Sequence, residues 1–156
     1  MTQQPRVIFV EDIFIGHEPQ WASEPNPSLV KAAALQGLGR AQASQCSIRL
    51  YDQGCFHKLY EIEIDGRRFI MRVALPVDPY WKTISERATM EFVRTRTETP
   101  LPRVFEHRAQ EDNALGFEWM LMEFMPGNQL DQVWRRLPMA KKEELVKQLA
   151  TYQCQL

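Results

Sequence analysis

The run Leu59-Tyr60-Glu61-Ile62-Glu63-Ile64-Asp65-Gly66-Arg67-Arg68-Phe69-Ile70-Met71-Arg72-Val73 decides the fold. Its first half places apolar residues at Leu59, Tyr60, Ile62 and Ile64, close to the two-residue period of a strand with one buried face. Asp65-Gly66 is a tight-turn pair, because glycine takes positive φ without steric penalty. Phe69 to Val73 then reads as the returning strand. Upstream, Ile48 and Leu50 carry the same alternation from Ser47, so three consecutive strands form an antiparallel meander.

Working outward, Pro76 and Pro79 end the meander, and Thr83 to Thr95 reads as a helix with Ile84, Ala88 and Phe92 on one stripe, Glu91 near it. Ser85 or Thr83 is its expected cap, with Glu86 in the first turn. Pro100-Leu101-Pro102 forces extended backbone before Val104-Phe105. Phe117 to Phe124 reads as a strand that Pro126-Gly127-Asn128 breaks. Leu130, Val133, Trp134 and Leu137 suit a short helix. Met139 to Leu156 suits a second, apolar at Leu145, Leu149, Tyr152 and Leu156, with the chain ending inside it. Near the start, Pro27-Ser28 opens a helix with Leu29, Ala32, Ala33 and Leu35 as its apolar positions and a stop near Gly37 and Gly39. Residues 1 to 27 read as an extended leader whose apolar clusters are Val7 to Val10 and Ile13 to Ile15. Trp119 and Trp134 are expected in the core. The predicted class is α+β: an antiparallel sheet of about five strands with one packed helix, followed by helices.

Composition sets limits. The chain has 156 residues, 44% hydrophobic and 25% charged, enough for one core. A net charge of −1 gives no global pull toward nucleic acid or an anionic membrane. No apolar run approaches the roughly 20 residues of a membrane span, and the N-terminus lacks a secretory apolar stretch, so a cytoplasmic location is expected. Cys46, Cys55 and Cys154 are widely spaced, and His17, His57 and His107 are isolated. Neither set has a metal-ligand spacing, so no metal site is expected from this chain.

The chemistry-bearing residues cluster in this frame. Gly54-Cys55-Phe56 lies in the turn between the first two strands, where a small residue admits phosphate oxygens to backbone N–H groups. His57 and Lys58 beside it read as solvated, with a phosphate contact from Lys58 as the alternative. Arg72 emerges from the third strand between apolar neighbours, and Glu86 in the following helix is a candidate partner that would orient its guanidinium. The strand around Met122 ends at a break that leaves backbone groups free. Met120, Met122 and Met125 read both as core filler and as the lining of an apolar pocket.

Four runs carry a family likeness: Asp52-Gln53-Gly54-Cys55-Phe56-His57-Lys58-Leu59-Tyr60-Glu61-Ile62, Ser85-Glu86-Arg87-Ala88-Thr89-Met90, Pro100-Leu101-Pro102-Arg103-Val104, and Leu121-Met122-Glu123-Phe124-Met125-Pro126-Gly127. In this order they resemble the aminoglycoside phosphotransferase family of protein-kinase-like enzymes, its fungal-type members in particular. The resemblance implies an N-terminal lobe with its hinge over residues 28–125 and the opening helices of a C-terminal lobe over 126–156, after the leader 1–27. It implies an ATP site: Gly54, Cys55 and Phe56 in the phosphate loop, Arg72 in place of the strand lysine that grips the α- and β-phosphates, and Glu86 as its partner. Met122 would be the gatekeeper, with the Glu123 carbonyl and Met125 N–H on adenine. The family uses magnesium and transfers the γ-phosphoryl group to a small-molecule hydroxyl; the acceptor here is unknown. The family's His-Gly-Asp loop and later metal-binding Asp have no counterpart in these residues. A nucleotide-binding part, truncated before its catalytic residues and inactive alone, is therefore expected. The alternative is a non-catalytic, pseudokinase-like interaction module that self-associates through exposed apolar surface.

Overall fold

The computed structural model describes residues 6–12, 16–41, 43 and 45–156. Strands β1 (Val7–Asp12) and β2 (Gly16–Trp21) pair antiparallel as a separate hairpin, with Val7 opposite Trp21. The apolar cluster at residues 13 to 15 lies outside the described residues. Helix α1 (Pro27–Gly37) follows, capped by Asn26, whose side chain accepts the Ser28 N–H at 2.9 Å. Then come β3 (Cys46–Gln53), β4 (His57–Ile64), β5 (Arg67–Ala74), α2 (Trp81–Arg96), β6 (Val104–Arg108), β7 (Trp119–Glu123), α3 (Leu130–Trp134) and α4 (Met139–Gln153).

The fold is α+β. Five strands form one sheet in the order β3-β4-β5-β7-β6, each pair antiparallel. The β4–β5 hairpin is the centre of the design. Asp65 and Gly66 both take positive φ, 48° and 77°, the condition for a two-residue hairpin turn. That turn fixes an unbroken register from Ile64 opposite Arg67 to His57 opposite Ala74.

Register then sorts side chains onto two faces. Tyr60, Ile62, Ile64, Phe69, Met71, Val73 and Leu121 join Val30 and Ala34 of α1 in the main core. Ile62, Ile64, Met71, Val73 and Leu121 are wholly buried, each contributing on the order of 1.5–3 kcal/mol. On the other face Ile70, Met120 and Met122 form a smaller cluster with Leu59, Met90, Val104 and Phe124. Arg72 stands opposite both Leu59 and Met120, hence on this second face.

Several expectations are corrected. In α1 the fully buried positions are Val30 and Ala34, with Ala33 and Leu35 partly buried against the same core, whereas Leu29 and Ala32 are exposed. Helix α2 begins at Trp81 with no side-chain cap; Thr83 is its buried residue, whereas Ala88 and Phe92 are exposed. The face toward the sheet is the one that carries Glu86 and Met90. Helix α4 ends at Gln153, where the Cys154 N–H bonds the Ala150 carbonyl, rather than continuing to Leu156. Trp119 is in the core, but Trp134 is 39% exposed with the Lys142 ammonium over its ring.

The leader is attached to the sheet. Trp21 lies 5.5 Å from the Phe117 ring and Arg6 stacks over the same ring. No helix among the described residues is long and apolar enough to cross a membrane.

Candidate functional site

Two elements aim charge at one point. Strand β5 presents Arg72 on the α2 face, and α2 brings Glu86 down onto it. Arg72 Nη1 meets Glu86 Oε2 at 2.8 Å, and Nη2 donates to Oε1 at 2.9 Å. This is a fork-to-fork pair, the geometry that fixes a guanidinium in orientation. The side chains are 18% and 31% exposed, so solvent screens the pair less than it would a surface bridge. Two of the five Arg72 N–H groups serve Glu86 and one more faces His57. Two remain for something else.

His57 was expected in solvent; it is half-buried and its Nε2 accepts from Arg72 Nη2. Burial, then the charges of Arg72 and Lys82, push its pKa down to about 3. The ring is therefore neutral near pH 7, with Nε2 as acceptor and the proton on Nδ1. Lys58 points the other way. It stands opposite Val73, is 4% exposed, and pairs with Glu24 beneath the Trp21 ring. A phosphate contact from Lys58 is excluded by that placement.

The loop between β3 and β4 is exposed at Gly54, Cys55 and Phe56. Its anchor points differ from the simple reading: the Gly54 N–H closes the hairpin onto the His57 carbonyl at 3.0 Å, so it does not face outward. The Phe56 carbonyl accepts the Leu75 N–H at 2.9 Å, tying the loop to the end of β5. The N–H groups of Cys55 and Phe56 bond no described residue. The three cysteines are free thiols.

At the other end of the face, Met122 is 8% exposed beside Ile70, its cross-strand partner. The Glu123 N–H donates to the Arg103 carbonyl at 2.8 Å, and its carboxylate accepts the Arg103 N–H at 3.2 Å. Met125 is exposed, and its N–H bonds no described residue. Beside it Phe124 lies under the Arg68 guanidinium, 3.8 Å from the ring centroid, and edge-on to Tyr51. Glu61, 6% exposed, holds Arg68 and Arg49. Beyond the hinge, Gln129 donates to Asp52 at 3.1 Å, bringing the chain back to the loop. A cleft of about 600 Å³ opens beside the loop, lined by Trp21, Glu24, Gly54 and Phe56.

The structure thus brings Arg72 and Glu86 together and puts Met122 on the same face, and it sets beside them His57, Lys82 and a Glu61–Arg68–Phe124 stack that the sequence reading did not place there. Lys82 had a signal: four residues before Glu86, it shares that helix face. The stack had none, because it depends on the registers of β5 against both β4 and β7, which join residues far apart in the chain. Among the described residues, no three His, Cys, Asp or Glu side chains converge as a metal site would require.

Residues 47–156 match the family model described as the phosphotransferase enzyme family. The chain belongs to that family. Among relatives of this phosphotransferase chain, a subtelomeric hrmA-associated cluster protein of Aspergillus fumigatus is 32% identical over 101 residues, covering 63% of this chain and 20% of that protein. The protein named altered inheritance of mitochondria protein 9, mitochondrial, of Candida glabrata is 24% identical over 149 residues, covering 87% of this chain and 23% of its own length. The chain thus spans about a fifth of the length of these curated relatives. A solved structure from Ralstonia eutropha, assigned as an aminoglycoside phosphotransferase, aligns with a TM-score of 0.45 and 19% identity over 62% of this chain and 28% of that one.

Proposed function

We propose that this phosphotransferase chain grips ATP on the face of the sheet that carries Arg72, and that it contributes nucleotide binding to phosphoryl transfer onto a small-molecule hydroxyl. The observation that supports the reading is the fork-to-fork Arg72–Glu86 pair. It orients a permanent cation while leaving two donors for phosphate oxygens. Around it the residues suit a nucleotide: Leu59, Ile70 and Met122 offer an apolar bed for a base, the Met125 N–H bonds no described residue at the hinge, and Cys55 and Phe56 are exposed at the loop with N–H groups that bond no described residue. A magnesium ion carried with the nucleotide would supply charge neutralisation in the transfer step.

Calorimetric titration tests the reading. Arg72→Ala is expected to weaken ATP binding tenfold or more, the usual loss of a charge-assisted contact, while Glu86→Gln weakens it less. Equal affinity in wild type and Arg72→Ala removes Arg72 from the site. The chain has no His-Gly-Asp run, so by itself it is expected to bind ATP without turning it over; phosphorylation of a hydroxyl acceptor by the purified chain would contradict that.

A further inference from the structure

Resting on that reading, we propose that Lys82 is a second phosphate-binding cation, completing with Arg72 a two-cation cradle for the polyphosphate of a nucleotide. A closed circuit of contacts places it there. Arg72 is bonded to Glu86 and to His57. His57 follows Phe56 in the chain, and the Lys82 ammonium lies 4.9 Å from the Phe56 ring centroid. Lys82 and Glu86, four apart in the first turns of α2, share a helix face and so return the circuit to Arg72.

Inside this circuit Lys82 is the cation without a counter-ion. Both Glu86 carboxylate oxygens are occupied by Arg72, and the Lys82 ammonium makes no hydrogen bond and no ion pair with a described residue; its named contact is the face of an aromatic ring. The other acids that act on it are Asp78 and Glu118. Glu118 is 2% exposed, and its carboxylate is engaged by the Tyr80 N–H at 2.7 Å. Burial, more than any neighbouring charge, holds the lysine pKa below its ordinary value, with Arg72 adding repulsion. Glu86 faces both cations, with Asp78 and Glu118 acting on Lys82 from outside the circuit, and a partly desolvated ammonium without a hydrogen-bond acceptor gains most from an anion. The exposed loop residues Cys55 and Phe56 run directly into His57, with the Phe56 ring against Lys82. A polyphosphate meets the donors of both cations at once; a single carboxylate ligand would satisfy only part of them.

The experiment titrates ATP, adenosine and inorganic tripolyphosphate into the wild type, Lys82→Met and Lys82→Arg, with unchanged circular dichroism and melting temperature confirming that each variant is folded. Lys82→Met is expected to lose tenfold or more in ATP affinity with adenosine affinity unchanged, and Lys82→Arg to recover most of the loss. A Lys82→Met variant that binds ATP as tightly as a wild type competent in ATP binding overturns the role of Lys82 and leaves the nucleotide reading intact. A wild type that binds no ATP overturns both. Tripolyphosphate binding as tight as ATP overturns the commitment to a nucleotide and leaves a general anion site.

Discussion

Arg72 and His57 show what single side chains decide here. The imidazole beside the Arg72 guanidinium is the group whose charge depends on pH. In the folded chain His57 has a pKa of about 3 against an ordinary 6.5. Between those values the unfolded chain takes up a proton that the folded chain refuses, so stability falls as pH drops from about 6.5 toward 3. Above 6.5 both states are neutral and His57 adds no pH dependence. His57→Asn, measured by denaturant melts across this range, is expected to flatten the acid limb by a slope of up to about 1.4 kcal/mol per pH unit. Parallel acid limbs in the two proteins would show that His57 protonates freely in the fold. At this scale the sequence was legible where two elements are each strongly patterned: Arg72 on an alternating strand, Glu86 near the start of a helix. It misled at Lys58, which looks like a loop residue. The two-residue turn at Asp65-Gly66 sets Lys58 opposite Val73, on the covered face, and only the register shows this.

Among the elements, the meander was legible because turn chemistry and alternation agree there. Helix faces were not. In both α1 and α2 the most buried stripe lies about one residue from the expected one, and each residue of offset turns the face by about 100°. For α1 the starting signal is Asn26, whose side chain takes the Ser28 N–H just before Pro27. Asn26→Ala is expected to cost about 1 kcal/mol of stability, and Asn26→Ser to cost little. Urea melts check this, and an alanine variant as stable as the wild type would show that packing at Val30 and Ala34 alone sets the helix start. The leader hairpin was missed for a different reason: its second strand, Gly16–Trp21, contains Pro19 and mostly polar residues, and so carries no strand pattern of its own.

For the molecule as a whole, the family model and the fold have different borders. Similarity to the family model begins at residue 47, but α1 lies before it and contributes Val30 and Ala34, both fully buried, to the main core. Glu24, the partner of the buried Lys58 ammonium, also lies before it, and Lys31 reaches from α1 to the Cys46 carbonyl at 2.7 Å. A gene fragment started at the similarity border would strip the covering from one side of the sheet and leave an ammonium among hydrocarbon. Expressed in parallel with the 156-residue chain, it is expected to be recovered mainly as insoluble material. A soluble short product with a cooperative melt would show the covering to be dispensable. Anyone choosing expression ends for proteins of this kind should include the two preceding segments, because the stretch matched by the family model is narrower than the folding unit.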